Sequence, residues 1–328
     1  MDLLAPIPAR TLPVSAVAPG KCILFGEHAV VHGAPELLLA IDLTTQAVVL
    51  PTRTGAPVLN ADTDAREHNA YFREALARGW ATGPPVEVRT VSRIPRAAGL
   101  GSSAAFAASL SAAFAAATGG IDRPRLAQRA FDVERAAQGV GSPGDTSASV
   151  AGGYVALNGG PGDPLWTVTA AERSWEVRRV ADPRWVWVVA HSGVGRSTAE
   201  AVRAVTQRLA AEGGARRLEE FAEVARDGIA AVGRGDRVRT AELMRRNQEL
   251  LVEVGVSHPR LEALLAAAAP AAEAAKITGA GGGGSIVALP VPGRETDLVR
   301  RLARAGGLPF VVRPSERGAE LLGAAPPR

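Results

Sequence analysis

Apolar and polar positions change period several times along the chain, and each change marks an element. Pro85 to Ser92 (PVEVRTVS) alternates residue by residue, the spacing of a strand with one buried face. Leu37 to Leu50 (LLLAIDLTTQAVVL) is a longer apolar, β-branched run with a polar break at Thr44 and Thr45, and it also predicts strand. GGYVALNGG and RWVWVVAHSG read the same way. Ser102 to Gly120 (SSAAFAASLSAAFAAATGG) predicts a helix, with serines at its start and glycines past its end. Arg123 to Gly139 predicts a second helix, with proline in its first turn and glycine after its last. Further on, helical spacing dominates: Ser197–Glu212, Arg217–Arg234, Arg237–Val254 and Pro259–Ala268. A glycine-rich bend then leads into a strand (AAKITGAGGGGSIVALP), followed by a last helix (ETDLVRRLARAGG) and a last strand (PFVVRPS). No fixed-period repeat is present. The character changes near residue 190, which divides the chain into domains 1–190 and 191–328.

Composition supports that division. A chain of 328 residues, 47% hydrophobic and 21% charged, is globular and long enough for two cores. Aromatics make up only 4%, so alanine, glycine and valine must fill the interior. The formal charge is +4, but the arginines are interleaved with acids, as in RLEEFAEVARDGIAAVGRGDRVR. That pattern describes solvated helix faces, not a nucleic-acid surface. One cysteine rules out an internal disulfide and fits a reducing compartment. No apolar run reaches membrane-spanning length, and the first twenty residues lack the basic start of a signal peptide. A soluble cytoplasmic protein is expected, with no nucleic-acid or membrane partner.

One compositional detail points at chemistry. Of 37 basic residues only Lys21 and Lys276 are lysines, and Lys21 lies within APGKCILFGEHAVVHG. Further on, PRAAGLGSSAAFAAS combines glycines that admit a ligand with serines at a helix start. There the free N–H groups and the helix dipole favour an anion such as phosphate, and Ser102 and Ser103 supply two adjacent hydroxyls. A capped glycine loop with no ligand explains the same residues about as well. KITGAGGGGSIVAL places four consecutive glycines before a strand, more than a turn needs. That suggests close approach to a ligand or to the first glycine loop, against the plainer reading of a flexible hairpin. Glu134 ends the second helix, and Asp145 sits in GVGSPGDTSASVAGG, which reads as a loop. The two carboxylates suit a shared magnesium and a proton acceptor, although each alone also reads as a surface acid. His28 and His32 sit four apart beside Glu27, but the segment does not read as a helix and Glu27 precedes the first histidine, so no zinc site is expected.

Together the three glycine-bearing segments resemble the GHMP kinases, in that superfamily's order and over residues 15 to 325. The GEHAVVHG run is similar to the form seen in mevalonate kinases. The resemblance implies an α+β, two-domain fold: an N-terminal α/β domain with a left-handed βαβ crossover and a C-terminal ferredoxin-like domain. It implies ATP and Mg2+ as cofactors, with ATP against Pro95, Ala98, Gly99, Leu100, Gly101, Ser102 and Ser103, and against Gly281 and Gly282. It places Ser103 and Glu134 on the metal and makes Asp145 and Lys21 the catalytic pair. Glu27, His28, Thr198, Gly279 and Ala280 would line the substrate site. No role follows for Lys276. The implied reaction is phosphorylation of the 5-hydroxyl of mevalonate, with a homodimer as the implied assembly. Phosphomevalonate kinase, mevalonate 3-kinase and a non-catalytic protein on the same fold are the alternatives. Four positions depart from the family pattern: Thr146 after the aspartate, Ala199 after RST, Ser285 after the glycines, and Glu36-Leu37-Leu38 where small apolar residues are usual.

Overall fold

The computed structural model describes residues 11–52, 55–120, 122–139, 141–171, 173–195, 198–210 and 213–322. The first part of the chain runs β1 (Val14–Phe25), a short 3-10 turn (Ala29–His32), β2 (Glu36–Pro51), β3 (Val58–Leu59), α1 (Ala65–His68), α2 (Ala70–Gly79) and β4 (Val86–Ser92). It continues through α3 (Ser102–Ala117), α4 (Arg123–Gln138), α5 (Gly144–Ala151), β5 (Tyr154–Leu157), β6 (Asp163–Ala170) and β7 (Arg173–Val180). The remainder is β8 (Trp187–His191), α6 (Thr198–Leu209), α7 (Gly214–Gly233), α8 (Arg237–Glu253), α9 (Pro259–Ala268), β9 (Ala272–Thr278), β10 (Ser285–Pro290), α10 (Glu295–Arg304), β11 (Leu308–Val312) and β12 (Glu320–Leu322). Among the described residues no helix is long and apolar enough to cross a membrane.

The fold is mixed α+β, built on two sheets. The first follows the order β12-β1-β2-β5-β7-β6, with β4 also on β2 and β3 on β4. At 16 residues, β2 is long enough to serve two neighbours on one edge. Its end pairs β4 and its start pairs β5, both antiparallel, so β4 and β5 run parallel to each other. The connection between them carries α3, α4 and α5. Thr44 and Thr45 do not break β2. Instead two residues bulge: Pro19 faces Thr44, and Gly20 faces Ile41. Backbone groups at the bulge are met by the chain's last segment, through Asp42 N–H to the Arg313 carbonyl and Ser315 N–H to the Ala40 carbonyl.

The second sheet has the order β11-β8-β10-β9, all antiparallel. Numbered from β8 this is 4-1-3-2 with a βαββαβ sequence, the ferredoxin-like topology. Its first strand starts at Trp187.

Local sequence explains the helices that hold the site. In α3 almost every residue from Ala104 to Ala116 is buried, because alanine is small enough for a helix apolar on all sides to lie against β1, β2 and α4. In α4, Asp122 accepts the Arg125 N–H at 2.9 Å, Pro124 occupies the first turn and Gly139 closes the end in the left-handed region. The expectation that Asp145 sits in a loop is corrected: it lies in the first turn of α5. Glycine, serine and threonine have weak helix preference, so GDTSASVA gives no helical signal. Burial makes the helix, since all of its residues but Asp145 are buried.

Candidate active site

The glycine loop before α3 is pressed onto β1. The Lys21 N–H donates to the Leu100 carbonyl at 3.0 Å. At Gly20 an added Cβ would lie 2.6 Å from that same carbonyl oxygen. Gly101 adopts φ +75°, and a Cβ there would stand 2.9 Å from Lys21 Cγ. Neither position admits a side chain, so the two backbones cross in contact and deliver Lys21 to the mouth of α3. At that mouth the first N–H groups of the helix have no intrahelical acceptor, an arrangement that favours an anion.

Lys21 is only 3% exposed, and its ammonium meets two oxygens: Nζ lies 3.1 Å from Asp145 Oδ2 and donates to the Gly99 carbonyl at 3.0 Å. Asp145 is the more open partner at 33% exposure. Across the cleft the Ser103 hydroxyl donates to Glu134 Oε1 at 3.0 Å, and Gln138 Nε2 donates to the same oxygen at 3.1 Å. Gln138 also holds the Tyr71 hydroxyl. Burial, reinforced by the Asp145 charge, pushes the Glu134 carboxyl up to about 8. A divalent cation would reverse that preference by favouring the ionised form. Among the described residues no three His, Cys, Asp or Glu side chains converge as a metal cage. Magnesium seldom needs one, because it takes one or two protein oxygens and completes its shell with phosphate and water. The adjacent hard oxygens of Ser103 and Glu134 fit that requirement.

The third glycine segment braces the second. The Ser285 hydroxyl donates to the Ala98 carbonyl at 2.7 Å inside the structure. Thr278 Oγ1 accepts the Ile23 N–H at 2.7 Å, tying β9 to β1. Gly281 and Gly283 lie where a Cβ would strike the Val256 and Val194 carbonyls at 2.4 and 2.8 Å. Lys276 forms a buried ion pair with Glu27 and donates to the Ile277 carbonyl at 2.7 Å. Burial raises the Glu27 carboxyl and lowers the Lys276 ammonium. Asn247 Nδ2 reaches the second Glu27 oxygen at 3.5 Å.

Most of the sequence-predicted residues converge on one cleft. Lys21, Glu27, His28, Gly99, Gly101, Ser102, Ser103, Glu134, Asp145, Gly279 and Ala280 all line it. His28 does so from a left-handed backbone (φ 63°), a conformation rare outside glycine. Others are not among the lining residues. Ala98 and Leu100 are buried behind the loop and contribute carbonyls, Pro95 precedes it, and Gly281 and Gly282 pack toward Val256. Thr198 opens α6, and its side chain lies outside the described residues. Sequence reasoning missed Tyr71, Gln138, Arg135 and Ser142, and it gave no role to Glu36. The departure at Glu36 was the one visible signal among these. Its carboxyl lines the cleft at 2% exposure, and burial with the Asp145 charge holds it well above the usual carboxylate range.

Chemically, the cleft offers a helix start for a polyanion, two oxygens for a hard cation, and a carboxylate paired with a compact ammonium. The sequence profile of the GHMP kinases N-terminal domain matches residues 68–153, and that of the GHMP kinases C-terminal domain matches residues 229–307. The mevalonate kinase of Pyrococcus horikoshii is 30% identical, covering 94% of this chain and 97% of that protein. The mevalonate kinase of Methanothermobacter thermautotrophicus is 33% identical, covering 88% and 94%. Among solved structures, L. major mevalonate kinase in complex with R-mevalonate superposes with a TM-score of 0.76 at 22% identity, covering 96% of this chain and 99% of that one. The Methanococcus jannaschii mevalonate kinase superposes with a TM-score of 0.73 at 23% identity, covering 93% and 99%.

Proposed function

This chain belongs to the GHMP kinase family, and on that premise we propose that it transfers the γ-phosphoryl group of ATP to the 5-hydroxyl of mevalonate. The observation that carries the reading is the Lys21–Asp145 contact at the start of α3, where base, cation and phosphate-binding N–H groups meet within one cleft.

The residues divide the work as follows. The start of α3, with Ser102 and Ser103, binds the nucleotide phosphates through N–H groups and hydroxyls. Asp145 accepts the proton of the acceptor hydroxyl as its oxygen attacks phosphorus. Lys21 pairs with Asp145 at 3.1 Å and offsets charge on the transferring group. Ser103 and Glu134 would hold Mg2+, which when bound neutralises phosphate charge. His28, Gly279 and Ala280 line the acceptor side, whereas Glu27 shapes it with a carboxylate already occupied by Lys276. Phosphoryl transfer needs positioning and charge compensation more than covalent chemistry, and these residues supply both.

A coupled ADP-release assay run in parallel with mevalonate, phosphomevalonate and homoserine tests the reading. Mevalonate is expected to give the highest kcat/KM, and turnover only with another acceptor would overturn it.

A further inference from the structure

We propose that Glu36 is a specificity residue of the acceptor site, and that its carboxyl hydrogen-bonds a second, non-reacting hydroxyl of the substrate. The inference rests on the kinase reading above and names what that site recognises besides the reacting hydroxyl.

Glu36 begins β2 and points its carboxyl into the cleft on the Asp145 side. Room for it has been made: a Cβ at Gly144, the residue before the base, would sit 2.3 Å from Glu36 Oε2. The Ser142 hydroxyl meets that oxygen only at a long 3.5 Å. A carboxyl that is 2% exposed and so weakly held is costly to keep without a better partner. The charged groups around it are Asp145 on α5, Lys21 on β1 and Glu27 after β1, with His28, Glu134 and Arg135 elsewhere on the cleft wall. Lys276 is spent on Glu27 and Lys21 on Asp145. A substrate carboxylate beside Glu36 would therefore add an uncompensated negative charge next to Asp145. A hydroxyl would not. It donates and accepts, as does a neutral carboxyl, so the two satisfy each other without new charge. The acceptor class is therefore a polyol whose second hydroxyl lies within reach of the reacting one.

The test compares mevalonate with its analogue lacking the tertiary hydroxyl, 3-methyl-5-hydroxypentanoate. Wild-type enzyme is expected to prefer mevalonate by at least about 100-fold in kcat/KM, since a site built to bond a hydroxyl rejects the analogue without it. Glu36→Met keeps the bulk and removes the polar atoms. It should cut that preference at least about tenfold, mainly through a higher KM for mevalonate. Glu36→Gln keeps a donor and an acceptor, so it should retain more of the preference than Glu36→Met. Thermal melts establish that each variant folds, and Glu36→Ala replaces Glu36→Met if the latter does not. An unchanged preference in Glu36→Met, or equal losses in the Met and Gln variants, overturns the proposal while leaving the kinase reading intact. Absence of mevalonate turnover in the wild type overturns both.

Discussion

Both lysines of the chain are buried against a carboxylate, one in the proposed chemistry and one behind it. Lys21 has room for a point charge only. Its stem is packed by the Gly101 backbone, and its ammonium bridges Asp145 and the Gly99 carbonyl. A guanidinium is a wide planar fork and does not reproduce a single donor point between those two oxygens. Lys21→Arg is therefore expected to lower kcat at least about tenfold while leaving the thermal transition nearly in place, because what it loses is charge placement at the transition state. Wild-type kcat in that variant would contradict this assignment. Asp145→Asn removes the proton acceptor and should cost about 10^2–10^4-fold in kcat, the usual worth of a positioned general base. Lys276 behaves differently. Lys276→Met strands the Glu27 carboxylate inside the structure, and urea unfolding should show a loss of about 3–5 kcal/mol. The double variant Glu27→Gln/Lys276→Met should recover part of that loss, and a double variant as unstable as the single one would refute the pairing.

At the scale of elements, legibility followed the range of the interactions. The start of α3 was readable because its glycines and serines lie next to one another in sequence. Helices α4, α8 and α9 announce themselves by caps and spacing, and each lies within a residue or so of its expected span. The helix carrying Asp145 was not readable, since only the tertiary burial of Thr146, Ser147 and Ser149 makes it a helix. Tyr71 and Gln138 were likewise silent, because their meeting depends on α2 packing against α4 across 67 positions of sequence. The Glu27–Lys276 pair spans 249 positions, which is why the sequence assigned Lys276 no role. Among the glycines, Gly101 is the sharpest case. Gly101→Ala forces a left-handed alanine against Lys21, at a cost of about 1–3 kcal/mol. It should raise the KM for ATP more than it lowers the melting temperature, and equal ATP kinetics would show that the loop can yield.

The whole molecule couples its stability to the buried acids. Glu134 and Glu36 both hold their protons more tightly in the folded chain than in the unfolded one. From the ordinary carboxylate value of 4.5 up to about 8, the folded state therefore binds more protons. That contribution to stability is complete at acid pH and is lost as pH rises through about 8. The melting temperature of the ligand-free protein should fall across that window. Glu134→Gln should flatten the fall in part, with Glu36 keeping the remainder. An identical pH profile in the variant would remove Glu134 from the account.

The closing strand of the first sheet is also the last one made. Residues 320–322 of β12 pair with Ser15 to Val17 of β1, and on the way the chain braces α5, where Gly318 lies too close to the Val150 carbonyl for any Cβ. During synthesis the outer edge of β1 consequently stays open until the second sheet has been made. The first sheet thus cannot close ahead of the second, and nascent chains stalled before residue 313 should remain protease-sensitive at α5.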